Sequence, residues 1–229
     1  MKLLDIRESF RKVIEFYTIK HKVYGIGNDY LYGDVHNNEN KQLIRILHKI
    51  TPIIKKHPEF FIDKTVLDFG CGTGEHTYFL SNYVNTIDCF DPQIIHYNWL
   101  NTMFKSSNII NVLKEQEYLK KHYDTILIIG VLQCAGDYKY WLSNFIDTMR
   151  FDRLIIAFTS GKIYSHINSG RTIRNTRLYD NNMTDNTVHE EEVLKSTHKL
   201  KLLDSYHKYI PTSSSGQNAY KRVIHFYER

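Results

Sequence analysis

The chain has 229 residues, 42% hydrophobic and 14% aromatic, enough apolar material for a folded core and too much for a disordered chain. A formal net charge of +5 permits an anionic partner without demanding one. The three cysteines, Cys71, Cys89 and Cys134, are scattered with no CxxC, and the twelve histidines show no metal-ligand spacing, so neither a disulfide framework nor a metal site is expected.

The N-terminal stretch MKLLDIRESFRKVIEFY is interrupted by charge every few residues. That suits neither a signal peptide nor a membrane span and predicts a cytoplasmic setting without membrane partners. Leu3, Leu4, Ile6, Phe10, Val13, Ile14 and Tyr17 recur at helical spacing, which predicts an amphipathic helix over 2–20. A loop rich in Gly, Tyr and Asn follows, YGIGNDYLYGDVHNN, and then a second helix from about Glu39 to Lys56. Residues 1–60 read as a helical cap, with Tyr24, Tyr30, Tyr32 and His36 as candidates for a lid.

From Thr65 the pattern alternates. TVLDFG, NTIDCFD, NIINVL, DTILIIG and RLIIAF are short apolar runs of the kind that strands buried on both faces require, and helix-length segments separate them. This predicts an α/β fold with a doubly wound, mostly parallel sheet over 61–229, in one domain spanning 1–229. KLLDSYHKYI and YKRVIHFYE read as two closing strands joined by PTSSSGQNA, and 160–187 reads as an insertion.

The segment VLDFGCGTGEHTYFL carries Gly70, Gly72 and Gly74 at the junction of a strand and a helix. Such a turn exposes backbone N–H groups and a helix N-terminus to a ligand, although by itself it is equally a tight structural turn. Glu75 stands where the dinucleotide fingerprint G-x-G-x-x-G has its third glycine. An acid there repels a pyrophosphate and disfavours NAD chemistry, yet tolerates a cationic ligand. The next strand ends at Asp91, where a carboxylate can accept two hydrogen bonds from a ribose diol. Asp88 competes for that role but lies within the strand, which Pro92 terminates.

Asp68-Phe-Gly70-Cys-Gly72-Thr-Gly74 together with Asp91 resembles the class I S-adenosylmethionine-dependent methyltransferases, over roughly residues 60–160. The resemblance implies S-adenosyl-L-methionine as cofactor and a seven-stranded sheet whose last strand is antiparallel. Asp68 would face the methionine ammonium, with Gly70, Cys71, Gly72 and Gly74 close to the cofactor and Asp91 and Pro92 at its ribose. Glu115, or Glu117 beside it, would meet the adenine amine. Gly130, in YDTILIIGVLQ, would lie at the tip of the fourth strand, facing the transferred methyl. The glycine-rich turn that often precedes the family's fifth strand is missing, with MRFDRLIIAF in its place.

The stretch GVLQCAGD lacks the Asn/Asp-Pro-Pro-aromatic tetrad and the Pro-Cys pair of nucleobase methyltransferases, and offers no carboxylate before Asp137 for a metal-assisted site. Cys134 reads as a buried small residue, and His76 as a capping or packing residue. The connection SGKIYSHINSGRTIRNTRL carries Lys162, Arg171, Arg174 and Arg177 without an acid, and guanidinium groups suit an anionic acceptor. The sequence therefore points to a methyltransferase for a small or medium-sized acceptor with an anionic part, bound by Arg171, Arg174 and Arg177. An RNA (tRNA or cap) methyltransferase and a catalytically silent methyltransferase-like scaffold are the alternatives. No catalytic base and no oligomeric state are assigned.

Overall fold

The computed structural model describes residues 5–24, 49–160, 188–211 and 219–229. Arg171, Arg174, Arg177, Lys162, Tyr30, Tyr32 and His36 lie outside the described residues, as does the side chain of Tyr24. The chain divides into two compact units, Met1–Tyr118 and Leu119–Arg229. Its seven strands follow the order β3-β2-β1-β4-β5-β7-β6 in one mixed sheet, with the ranges given below.

In the first unit, α1 spans Ile6–Tyr24, running past the expected end because no breaker occurs before Gly25. Val13 and Tyr17 form its buried stripe, and Phe10 meets Phe79 at 5.3 Å between ring centroids. Residues 49–56 are helical (α2) and bury Ile50, Ile53 and Ile54 completely. The α/β alternation then starts: β1 (Thr65–Phe69), α3 (Glu75–Leu80), β2 (Thr86–Phe90), α4 (Ile94–Phe104) and β3 (Ile110–Val112). β1 pairs parallel with β2, and β2 with β3. After their first residue, β1 and β2 are buried throughout, as apolar runs between two helical layers must be.

The second unit holds β4 (His122–Ile129), α5 (Tyr138–Thr148), β5 (Arg150–Ser160), α6 (Glu190–Ser196), β6 (Lys201–Pro211) and β7 (Ala219–Glu228). β4 and β5 are parallel, and β7 is antiparallel to both β5 and β6. The Asp137 carboxylate caps α5 by accepting from Tyr140 N at 3.2 Å. No glycine turn is needed before β5. Met149 leaves α5 in an extended conformation with its N–H still bonded to Phe145, and the Arg229 guanidinium donates to the freed carbonyls of Ile146 and Met149. No described helix is long and apolar enough to cross a membrane.

Candidate functional site: an acid-lined glycine loop

The glycine loop leaves β1 with three left-handed backbones, φ being 72° at Gly70, 57° at Gly72 and 83° at Gly74. Only glycine adopts such angles without strain. The three are not equivalent. A Cβ on Gly74 would lie 2.7 Å from Leu100 Cδ2 and 2.8 Å from Phe104 Cε2, so this glycine lets the start of α3 pack against α4. At Gly72 a Cβ would meet nothing within 4 Å. The open approach lies at Gly72, whereas Gly74 is required by packing.

Two carboxyl groups are buried around this loop. Asp68 is 1% exposed and accepts from the Thr77 hydroxyl at 2.6 Å. Burial pushes its pKa up to about 7 against the pull of Thr77, and the nearby Asp91 charge adds to the rise. Glu75 is 4% exposed and accepts from the Thr73 hydroxyl at 2.5 Å. Burial also brings its pKa up to about 7, opposed by its own backbone N–H and by His96. The loop between them is pinned at the Thr73 carbonyl, which accepts from the Tyr17 hydroxyl at 2.9 Å and from Trp99 Nε1 at 3.3 Å. Thus α1 and α4 both hold the loop in place.

Asp91, just past β2, is the loop's second anchor. Its Oδ2 accepts from Gly72 N at 2.9 Å, and its Oδ1 accepts from Gln93 N at 3.0 Å and contacts His96 Nδ1 at 2.8 Å. The carboxylate expected to grip a ribose is therefore already tying the glycine loop to the tip of β2. A carboxylate has roughly four acceptor sites, so capacity for a ligand remains. Asp88 is structural: it is buried within β2 and accepts from Asn111 Nδ2 at 2.8 Å. Pro92 and Glu115 are exposed, and Cys71 is buried with its thiol pKa raised by burial. Glu117 closes its own turn by accepting from Lys114 N at 2.7 Å. Beside it Tyr118 packs on Phe69 and Phe90, with ring centroids 5.3 and 4.7 Å away.

In the second unit, Gly130 ends β4 with φ 71° and room for a Cβ, its N–H bonded to Ala157 O at 2.8 Å. Gln133 follows, 8% exposed, its Nε2 3.4 Å from Thr159 O and its Oε1 the one buried side-chain polar atom without a partner among the described residues. Cys134, expected to be buried, is exposed, because a turn closed by its N–H to Val131 O carries it off the strand. His76 is buried in the first turn of α3, as a packing residue should be.

The burial of Glu75 and the parts played by Thr77, Tyr17, Trp99 and His96 around the loop were not legible in the sequence. Thr77 and His96 are polar residues in the first turns of α3 and α4, the only trace they leave; Trp99 lies further along α4, and Tyr17 falls on the apolar stripe of α1.

No protein-family model matches the chain, and no curated protein matches it. Solved structures do. The chain is similar to magnesium protoporphyrin IX methyltransferase from Synechocystis PCC 6803 with bound S-adenosyl-L-homocysteine, at 16% identity and TM-score 0.59 over 87% of this chain and 91% of that one. It is similar to an N-methyltransferase from Bradyrhizobium japonicum WM9, also in complex with S-adenosyl-L-homocysteine, at 14% identity and TM-score 0.57 over 89% and 99%. A SAM-dependent methyltransferase from Archaeoglobus fulgidus matches at 15% identity and TM-score 0.54 over 80% and 94%. With the strand order, these likenesses identify the fold as that of the class I S-adenosylmethionine-dependent methyltransferases.

Proposed function

We propose that the protein is an S-adenosyl-L-methionine-dependent methyltransferase acting on a small-molecule acceptor. The observation that carries the reading is the pair of buried carboxyls, Asp68 and Glu75, beside a glycine loop that is open at Gly72. Two buried acids with raised pKa values are unfavourable for a fold and favourable for a cationic ligand, whose charge stabilises their ionised forms. The cofactor is such a ligand, with an ammonium and a sulfonium, and when bound it supplies a methyl group for in-line transfer.

Asp68 and Glu75 would meet the cationic end, the Gly72 side of the loop would lie against the ligand, and the spare acceptor capacity of Asp91 would serve the ribose. Glu115 and Tyr118 would border the base. On sequence grounds Gly130, at the tip of β4, remains the residue for the acceptor side; within its own unit the unpartnered Gln133 Oε1 is a buried amide oxygen, which can orient an N–H or O–H but cannot take its proton at neutral pH. The protein's contribution to transfer is then positioning and exclusion of water rather than proton abstraction by Gln133. The small-molecule class is supported by the Synechocystis enzyme, whose name gives magnesium protoporphyrin IX as what it methylates. Arg171, Arg174 and Arg177 remain, on sequence grounds, the residues to meet an anionic part of the acceptor.

Calorimetric titration with S-adenosyl-L-methionine and S-adenosyl-L-homocysteine tests the reading. One site is expected, with protons released to the buffer on binding at pH 6–7 as Asp68 and Glu75 ionise. No binding of either compound removes the reading. Binding without transfer, and with RNA competing at low salt, removes the small-molecule acceptor alone.

A further inference from the structure

A second polar cluster lies within the Leu119–Arg229 unit. β6 and β7 pair antiparallel, with His207 opposite Val223 and Ser205 opposite His225. Opposite residues share a face and the side-chain period is two, so His207 and His225 are diagonal neighbours on one face. Lys221 and Tyr227 share that face of β7, and Glu190, from α6, reaches it. Glu190 Oε1 is 2.7 Å from His207 Nε2 and 3.0 Å from His225 Nε2, and the three donor atoms all lie within 4.8 Å of one another.

We propose that Glu190, His207 and His225 bind a divalent transition-metal ion of the zinc class. Tetrahedral coordination at ~2.0–2.1 Å places donor atoms roughly 3.3 Å apart, so Glu190 Oε1 need move only a few tenths of an ångström from each imidazole nitrogen, while the two nitrogens, within 4.8 Å of each other, settle to the same spacing. Two imidazoles and one carboxylate select zinc and its borderline neighbours over magnesium or calcium, which take oxygen donors.

The surroundings support the remote atoms of each ligand, as metal sites require. His225 is 1% exposed, with Nδ1 2.8 Å from the Tyr227 hydroxyl, which accepts from Thr197 Oγ1 at 3.0 Å. Phe158 packs edge-on against the His225 ring at 5.6 Å. Lys221 Nζ, 2.6 Å from Glu190 Oε2, takes the other carboxylate oxygen and leaves Oε1 turned to the imidazoles. His207 is exposed, so the fourth position opens to solvent.

A plain ion-pair network is the competing account, since Lys221 already neutralises Glu190. That account gives no charge role to two imidazoles converging by the same nitrogen on the one remaining oxygen. The two accounts diverge on Lys221. Its ammonium repels a metal, so a metal site predicts that Lys221→Gln tightens binding.

The test titrates the chelator-treated full chain with Zn2+, following heat and thermal unfolding together. One equivalent is expected to bind and raise the melting temperature. His207→Gln keeps a hydrogen-bond donor toward Glu190 but is a poor ligand. It should fold normally without metal and lose more than the ~10–100-fold that removal of an outer-shell partner costs. Glu190→Gln should do the same, and Mg2+ should not compete. Three results each overturn the proposal: absence of binding by both the parent and Lys221→Gln, zinc held as tightly by His207→Gln and Glu190→Gln as by the parent, or displacement by Mg2+.

Discussion

Asp68→Asn separates what this carboxyl does for the fold from what it does for a ligand. The folded pKa of about 7 lies above the ordinary 3.8, because burial disfavours the charged form. Below pH ~4 the carboxyl is protonated in both states and contributes no difference. Between about pH 4 and 7 the unfolded chain gives up its proton while the folded chain keeps it, so the parent loses stability as pH rises. Above 7 the loss is complete. At ~1.36 kcal/mol per pH unit the separation amounts to as much as ~4 kcal/mol. Asparagine has no charge to bury and retains an oxygen for the Thr77 hydroxyl, which donates at 2.6 Å.

Urea unfolding of parent and variant at pH 5 and pH 8 reads the difference directly. The variant should gain on the parent by ~2–3 kcal/mol more at pH 8 than at pH 5, because most of the titration window lies between those values. Glu75 continues to titrate in both proteins, so the variant keeps some pH dependence of its own. Affinity for S-adenosyl-L-methionine should fall by roughly 10–100-fold, the worth of one charge-assisted hydrogen bond. A variant less stable than the parent at pH 8, with the same pH slope, would show that Asp68 is ionised and welcome in the empty loop. The loop would then be no pocket for a cation. Unchanged affinity would leave the fold argument standing and remove Asp68 from the site.

The other predictions follow from the same loop and from β4. Gly74→Ala should cost about 1–3 kcal/mol in unfolding experiments by driving a methyl into Leu100 and Phe104, on top of left-handed strain. Gly72→Ala, which meets no protein atom, should cost only ~1–2 kcal/mol of strain while weakening cofactor binding; equal stability losses at the two positions would erase the distinction between them. Asp91→Ala should lose ~1–3 kcal/mol of stability as well as cofactor affinity, because it releases Gly72 N and Gln93 N; a change in affinity alone would show that the loop does not depend on this carboxylate. Gln133→Met should leave stability unchanged or raise it by ~1 kcal/mol while lowering methyl transfer, and clear destabilisation would mean that Gln133 is a structural residue.

The fold was legible because its signals are local. Strands such as ILII and IIAF are apolar on both faces, and that composition belongs to a sheet covered on both sides. The glycine run was legible as a turn, but the distinct duties of its glycines were not, since the clash at Gly74 comes from Leu100 and Phe104 on another helix. Asp91 was legible as a strand-tip acid, whereas its bond to Gly72 N depends on how β1 and β2 align. Glu75 was legible as an acid at the ligand turn that tolerates a cation, but its burial was not, since charged residues mostly face water. Tyr17 and Trp99 bring α1 and α4 onto the Thr73 carbonyl, so the neighbouring carboxyl loses its water. Burial of that kind is set by three elements at once and leaves no periodic trace. The same holds for Glu190, His207 and His225, whose spacing in sequence carries no ligand pattern: the register of β6 on β7 brings the histidines together, and α6 adds Glu190. Chemistry carried on one element could be read in order along the chain. Chemistry assembled from several elements became visible only once the strands were paired.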